Sequence, residues 1–184
     1  MTADSVESEL PREPHLSFTE SAWRRLRLYT TRCPYEIGGL GTVAQAGEDF
    51  VVEEVFVLDQ DVNDIATRLE PESVHGLLLS IVADGGDPSA MRLWWHSHAR
   101  ESVFWSGEDE ETIDRFQNDG MLSVVTNHRG QVLARIDVYR PRGTTWLWVD
   151  EGEDVVPTEQ EEQTIDDDIR AKTRHRPRGS ARIF

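Results

Sequence analysis

The feature that most constrains the fold is a repeated exchange between helical and strand periodicity from Ser17 to about residue 150. Helical spacing follows Ser17 or Thr19, either of which can cap a first helix, and recurs in "PESVHGLLLSIVA" and "GEDEETIDRF". Strand-like runs rich in valine and aromatic residues lie between and after these helices, as in "DFVVEEVFV", "MRLWWHSH" and "QVLARIDVYR". This order predicts one α/β or α+β domain with helices on both sides of a sheet.

Three segments of different character divide the 184 residues. Residues 1–16 have two prolines and little periodicity, which predicts a flexible N-terminal lead. Residues 17–156 carry the helix and strand patterns and form the folded domain. Residues 157–184 are acidic first and basic last, which predicts a charged C-terminal tail that is solvated or forms a short helix. Alternatively this tail is a docking segment that folds back on the acidic body or contacts an acidic partner.

Charge and cysteine content exclude several classes of protein. A net charge of −16 argues against nucleic-acid binding by the body of the protein and favours neutral or basic partners. The single cysteine, Cys33, excludes an internal disulfide and a cysteine-based zinc cluster, so a metal here needs histidines and carboxylates. No apolar run reaches the length of a membrane span, and the acidic start lacks the features of a secretory signal, so we expect no membrane association and a cytoplasmic location.

A candidate metal site lies in "HSHARESVFWSGED". On a strand, His96 and His98 project from the same face about 7 Å apart, so two imidazoles can converge on one ion. Asp109 falls in the first turn of the next helix, where its carboxylate can return toward the strand end. Two histidines and one carboxylate leave a fourth zinc position open, as in catalytic sites, and a hydrolase of this kind also needs a base that does not ligate the metal.

The same residues also have interpretations without a metal. Ser106 followed by an acid three residues later is a capping box, which a helix needs for its own stability. A His-x-His pair on a strand is more often structural or exposed than a ligand. Residue chemistry by itself leaves both interpretations open.

The full spacing closely resembles the signature of the JAMM metalloproteases, also called MPN-plus or JAB proteins. His96-x-His98 is followed by seven residues and then by Ser106-x-x-Asp109. The family has a glutamate some tens of residues upstream, in a context such as E-x-x-G-x-L, and "YEIGGLG" supplies Glu36 in that place. The resemblance covers about residues 17 to 150 and implies the family's α/β/α sandwich, a mixed sheet flanked by helices.

Carried over to this chain, the resemblance implies a role for each of five residues. His96, His98 and Asp109 would ligate Zn²⁺, Glu36 would act as general base and proton donor, and Ser106 would stabilise the oxyanion. Residues 17–156 would then be the catalytic domain.

One departure from the family is Ala99, where proline usually follows the second histidine, and this puts the rigidity of that loop in doubt. The insertion loops with which eukaryotic members select ubiquitin chains are not recognisable here.

The resemblance predicts an isopeptidase that removes a ubiquitin-like protein from lysine, acting in the manner of a deubiquitinase on that protein or its conjugates. A processing peptidase that trims the C-terminus of a ubiquitin-like or sulfur-carrier protein is the alternative, and a non-catalytic MPN scaffold is the second. Several family members need an activating partner, so one is allowed for here as well. A nucleic-acid-associated enzyme that uses the basic tail would instead bind with steep salt dependence.

The tryptophans of the last strand admit two interpretations. Trp146 and Trp148 alternate with Leu147, and the first interpretation places them in the core. Contact with a substrate is the second.

Overall fold

A computed structural model describes residues 12–116, 120–153 and 156–177 of the chain. Within these residues the strands are β1 (His15–Phe18), β2 (Gly38–Ala46), β3 (Asp49–Val57), β4 (Gln60–Val62), β5 (Thr67–Leu69), β6 (Met91–Ser97), β7 (Met121–Thr126), β8 (Val132–Tyr139), β9 (Arg142–Val149) and β10 (Thr173–His175). The α-helices are α1 (Glu20–Arg32), α2 (Pro71–Ala83), α3 (Gly107–Phe116) and α4 (Glu159–Lys172). The helices predicted after Thr19 and in the two quoted segments are confirmed, as are the strands β3, β6 and β8.

Seven strands close into a barrel in the order β1, β3, β2, β6, β7, β8, β9. The strand β1 closes it, because it pairs in parallel with β3 on one side and with β9 on the other. The predicted α/β/α sandwich, a mixed sheet flanked by helices, is therefore wrong, because the sheet closes on itself. The sequence pattern did not reveal a strand at His15–Phe18, and this four-residue strand supplies hydrogen bonds to both edges that an open sheet would leave unpaired.

Each face of the barrel wall packs against different helices. On one face Leu93 and Trp95 of β6 join the larger apolar cluster, which includes Leu26 and Tyr29 of α1. On the other face Trp94 joins a smaller cluster with Ile113 of α3, and α2 packs on this cluster with partly buried leucines. The alternation of side chains along β6 thus separates the main core from the surface that carries the histidines.

The first and last described segments of the chain both contact the domain. The strand β1 begins at His15, inside the segment expected to be a lead, whereas residues 1–11 lie outside the described residues. The tail expected at 157–184 contains α4, which packs on α1 through a hydrogen bond from the Tyr29 hydroxyl to Asp168 at 2.5 Å. The strand β10 then pairs in parallel with β4.

Basic side chains at the end of the described tail pair with acids of the domain. Arg174 contacts Asp61 at 3.1 Å and Glu70 at 2.6 Å, and Arg176 contacts Asp61 at 2.8 Å. These contacts agree with the fold-back interpretation for residues up to 177, and the rest of the predicted basic segment lies outside the described residues.

The tryptophans of β9 do not lie in the core. Leu147 is buried, whereas Trp146 and Trp148 are 56% and 62% exposed. Their first interpretation as core residues is therefore wrong. None of the helices within the described ranges is long and apolar enough to cross a membrane.

Candidate metal centre

The last residues of β6 and the loop behind it bring two histidines together. The Nε2 atoms of His96 and His98 are 3.2 Å apart, and their side chains are almost fully buried. The backbone N–H of His98 donates to the carbonyl of Thr126 at 2.8 Å, which continues the pairing with β7 one residue past the strand. Both imidazoles therefore project from the same side of the sheet, as the strand periodicity predicts.

The first turn of α3 brings the carboxylate. Asp109 Oδ1 lies 3.1 Å from His96 Nε2, and Asp109 Oδ2 lies 3.5 Å from His98 Nε2. The backbone of Ser106 holds this carboxylate, because its N–H donates to Asp109 Oδ2 at 2.7 Å. The Ser106 side chain caps the helix, because the N–H of Asp109 donates to Ser106 Oγ at 3.2 Å. The capping box and the approach to the histidines thus occur together, and neither interpretation excludes the other.

The donor atoms of this group fit one metal ion. The ligand atoms of His96, His98 and Asp109 all lie within 4.8 Å of one another. Around a tetrahedral zinc with bonds of about 2.0–2.1 Å, neighbouring ligand atoms are about 3.3 Å apart. The distances of 3.1, 3.2 and 3.5 Å match that spacing. Because the group is also buried, a cation would be held mainly by these side chains.

Hydrogen bonding and packing fix the orientation of the two imidazoles. His98 Nδ1 donates to the carbonyl of Ser102 at 3.0 Å, so in the neutral ring the lone pair of Nε2 is directed at the site. His96 differs, because its Nδ1 is buried and has no hydrogen-bond partner among the described residues. Stacking on Trp94, with ring centroids 4.4 Å apart, holds the His96 ring instead.

The charges of the site favour an ionised carboxylate beside a neutral His96. Burial opposes ionisation of Asp109, but hydrogen bonds from His96 and His98 outweigh it and hold the pKa of Asp109 well below its usual value. Burial lowers the pKa of His96. The pKa of His98 is raised, because hydrogen bonds to Asp109 and Ser102 outweigh its burial.

Glu36 lies directly before β2, next to the histidine strand. Its own N–H donates to the carbonyl of Asn63 at 3.0 Å, and the following residue, Ile37, exchanges hydrogen bonds with Ser97 through the Ser97 N–H at 2.8 Å and the Ser97 hydroxyl at 3.1 Å. Glu36 is buried, with 5% of its surface exposed. Burial raises its pKa to about 8, while the nearby His98 lowers it and Asp109 raises it.

A glycine lets β2 approach its neighbours closely. A Cβ atom at Gly39 would lie 1.8 Å from the carbonyl oxygen of Phe56 and 2.9 Å from Trp95 Nε1. A larger residue here would push β2 from both neighbouring strands and move Glu36 with it. The glycine of "YEIGGLG" therefore serves the position of Glu36 through packing.

The loop after His98 has a backbone that proline cannot adopt. Ala99 has φ of 42°, in the left-handed region, and its carbonyl accepts a hydrogen bond from the N–H of His128 at 2.8 Å. Because the proline ring fixes φ near about −65°, the usual family residue does not suit this backbone. The departure from the family pattern thus coincides with a local difference in conformation.

Several residues that support the site were not singled out from the sequence. Ser97 anchors Ile37, and Ser102 orients His98, as described above. Asn127 holds the same loop through its Nδ2, which donates to the carbonyl of Glu101 at 2.7 Å, while its Oδ1 accepts from the N–H of Arg129 at 3.0 Å within the turn after β7. An asparagine within a turn is the sequence signal that indicates such an anchor.

The five residues that the resemblance implies are thus distributed over three segments that meet in space. His96, His98 and Asp109 converge through their ligand atoms, and Ser106 caps the helix that carries Asp109. Glu36 adjoins them from the start of β2, within electrostatic reach of His98 and Asp109.

The fold of the chain is similar to a solved structure, but its sequence matches no protein-family model. No protein-family model matches the chain, and no curated protein matches it. The fold is similar to the solution structure of protein DSY2949 from Desulfitobacterium hafniense, with a TM-score of 0.59 over 80% of this chain and 97% of that one. The two sequences are 16% identical, so the likeness concerns the fold alone.

Proposed function

We propose that this chain is a zinc-dependent isopeptidase that removes a ubiquitin-like protein from lysine. The observation that carries the proposal is the convergence of the ligand atoms of His96, His98 and Asp109 beside the buried carboxyl of Glu36. Three protein ligands leave one open position on a tetrahedral zinc, the arrangement of catalytic sites. The choice of zinc and of an isopeptide bond comes from the resemblance of the residue spacing to the JAMM signature.

The metal would be held by His96, His98 and Asp109. Bound there, Zn²⁺ supplies Lewis acidity and makes water more acidic. The low pKa of Asp109 keeps a negative ligand available, and the lowered pKa of His96 keeps a neutral one. The hydrogen bond from His98 to Ser102 fixes the tautomer that binds metal through Nε2.

Glu36 is the residue that moves the proton. Its carboxylate takes a proton from the attacking water, the water oxygen bonds to the carbonyl carbon of the C-terminal glycine, and the carbon–nitrogen bond to lysine breaks. Glu36 then gives the proton to the departing lysine amine, which leaves a free carboxylate on the ubiquitin-like protein. A pKa raised by burial to about 8 suits a group that must hold a proton between two steps near neutral pH.

A positive charge beside Glu36 also governs when it can act. Burial favours the protonated form of its carboxyl, and the nearby His98 already opposes this effect. A cation at the site would favour the carboxylate further, so that the base is ready only when the metal is held.

Ser106 serves the helix and the proposed reaction. Its hydroxyl oxygen accepts the N–H of Asp109, and its hydroxyl also bonds to the Asp109 carboxylate, so donation to an oxyanion requires the hydroxyl to turn away from that carboxylate. Loss of one such donor in other enzymes costs about 3 to 4 kcal/mol of transition-state stabilisation.

The experiment compares two substrates and two proteins. Zinc-loaded wild type and Glu36→Gln are incubated with a ubiquitin-like protein joined to a target lysine, and with the same protein carrying a linear extension after its C-terminal Gly-Gly. Intact mass identifies the products, and metal analysis of each sample gives the zinc content. Exposed Glu48 supplies the matched control variant Glu48→Gln, which we expect to behave as wild type.

Release of the lysine target by wild type and Glu48→Gln, but not by Glu36→Gln, supports the isopeptidase. Cleavage of the linear substrate alone favours the processing peptidase. Cleavage of neither substrate by the zinc-bound protein contradicts peptidase activity of the isolated chain, and zinc content that stays near zero contradicts the metal site itself.

A further inference from the structure

Two exposed tryptophans share the sheet face of the metal centre. Trp94, Ser123, Arg135 and Trp146 are direct neighbours across β6, β7, β8 and β9, so they form one row over the sheet. Leu147, between the two tryptophans, points into the main core, so Trp146 and Trp148 point outward.

The row also gives the position of the two tryptophans relative to the metal centre. The strands β6 and β9 run in the same direction, because β6 is parallel to β7 and two antiparallel pairings follow. His96 follows Trp94 by two residues, and Trp148 follows Trp146 by two residues. Trp148 therefore lies in line with His96, three strand spacings or about 14 Å along the sheet.

Packed side chains connect the two places. The ring of Trp105 lies 5.9 Å from that of His96, and the guanidinium of Arg135 lies 4.8 Å from the ring of Trp105. Arg135 is in turn the cross-strand neighbour of Trp146. The surface between the metal centre and the tryptophans is thus built on the buried Arg135 and the partly buried Trp105, which suits a docking surface better than a mobile loop would.

Further apolar side chains enlarge the exposed surface on either side of this connection. Phe104 is 47% exposed and its ring packs edge-on against His98 at 4.6 Å. Leu133 is half-buried on β8, on the outward face that Arg135 shares. We call Phe104, Leu133, Trp146 and Trp148 the tryptophan patch. A cluster of large exposed apolar groups beside a site commonly marks a binding surface, with tryptophan the most enriched residue at its centre.

Charge around the tryptophan patch selects the kind of partner. The side chains of Glu110, Asp114 and Asp150 are about half exposed near its border, where they pair with Arg135, Arg142 and His15. The excess of acid therefore comes from the chain as a whole, which has a net charge of −16. Arg135 beneath the patch is buried and already pairs with Glu110 and Asp137. An apolar partner surface with a basic rim is therefore complementary, and an acidic one would be repelled.

We propose that the tryptophan patch docks the folded body of the ubiquitin-like protein, through an apolar area bordered by basic side chains on that protein. This inference rests on the proposed function, because it gives a docking surface to the folded body of the same substrate whose C-terminal tail reaches the metal centre. The distance of about 14 Å is short enough for a few extended residues to join the docked body to the site.

The kinetic test separates the body of the substrate from its tail. One substrate is ubiquitin joined to a lysine, and the other is a five-residue peptide ending in Gly-Gly joined to the same lysine. Trp146→Ser/Trp148→Ser is compared with Leu79→Ser/Val82→Ser, a control pair on α2 whose side chains are 56% and 55% exposed. We expect the tryptophan variant to lose at least tenfold in kcat/KM on the ubiquitin substrate, mainly through KM, and to cleave the peptide as wild type does.

Equal losses on both substrates, or no loss on either, would overturn the docking surface. A loss of the same size in the α2 control would overturn it too.

A binding measurement keeps the surface testable if wild type cleaves neither substrate, an outcome that defeats the proposed function by itself. Protein labelled with 5-fluorotryptophan and carrying Glu36→Gln is titrated with ubiquitin, and its six tryptophan signals are assigned by single replacements. Shifts at Trp146 and Trp148 that weaken with added salt support the surface. Unchanged signals at both positions, or shifts confined to other tryptophans, reject it.

Discussion

Residues on the two faces of β6 have different roles. Leu93 and Trp95 enter the main core, whereas Trp94, His96 and, just beyond the strand, His98 face the candidate metal centre. The first face is held by apolar burial, and the second combines stacking, hydrogen bonds and charge. A seven-residue strand can therefore carry a site because its other face is fixed by packing that does not depend on the site.

We expect the largest effect from the core face. Trp95→Ala removes a fully buried ring that stacks on Tyr29 and should lower the free energy of unfolding by about 3–5 kcal/mol. Chemical denaturation measures this loss, with exposed Trp148→Ala expected to change stability by less than about 0.5 kcal/mol. Similar losses in both variants would contradict the separation of the two faces.

On the opposite face, replacing a proposed metal ligand should weaken metal binding and leave the fold. His96→Ala deletes one of three donors and should weaken zinc binding by more than about 100-fold, since loss of a mere supporting residue costs 10- to 100-fold. Competition with a chromogenic chelator gives the affinity, and circular dichroism verifies the fold. His75→Ala, on the exposed side of α2, should bind zinc as wild type does; unaltered affinity in the His96 variant would exclude it as a ligand.

Glu36 should make stability depend on pH in the metal-free protein. Its pKa is raised by burial from 4.5 to about 8, so the folded state holds the proton over a range in which the unfolded state has lost it. The free energy of unfolding should therefore fall as the pH rises from about 4.5 to about 8. Glu36→Gln removes this slope and should be more stable than wild type at pH 8 by roughly 2 to 4 kcal/mol.

Denaturation at several pH values in the presence of a chelator measures this difference, with Glu48→Gln as the control. A constant gap between wild type and Glu36→Gln from pH 5 to pH 8 would mean that Glu36 titrates normally.

The backbone at Ala99 gives a smaller effect that separates this chain from the family pattern. Ala99→Pro restores the usual residue but forces φ from 42° to about −65°, so it should destabilise the protein by more than about 1 kcal/mol. Ala99→Gly tolerates the same φ and serves as the control. Thermal unfolding of both variants measures the change in stability. An Ala99→Pro variant as stable as wild type would show that the loop adopts another backbone conformation.

The smallest effect is expected at the helix cap. Ser106→Ala removes the acceptor for the N–H of Asp109 and should lower stability by about 0.5–2 kcal/mol. Ser106→Thr retains the hydroxyl and should recover most of this loss. If neither variant differs from wild type in denaturant, the capping contact contributes nothing measurable to the helix.

Local patterns predicted the parts of the site that lie close together in the chain. Strand periodicity put His96 and His98 on one face, and the cap at Ser106 put Asp109 in the first turn of α3, because these relations depend on neighbouring residues alone. Glu36 was assigned through resemblance, since its burial depends on the contacts that β2 makes with β6 and with the Asn63 backbone. The support given by Ser97 and Asn127 likewise joins residues far apart in the sequence.

The sequence by itself determined the helices α1, α2 and α3, most long strands and the spacing that brings two histidines and an aspartate to one place. Each of these follows from side-chain periodicity within a short segment. Only the tertiary structure decided that the sheet closes and that Trp146 and Trp148 face outward. Closure depends on β1 pairing with strands more than thirty and more than a hundred residues away. The face that a strand exposes depends on which helices cover it, and neither relation is encoded within a short segment of the chain.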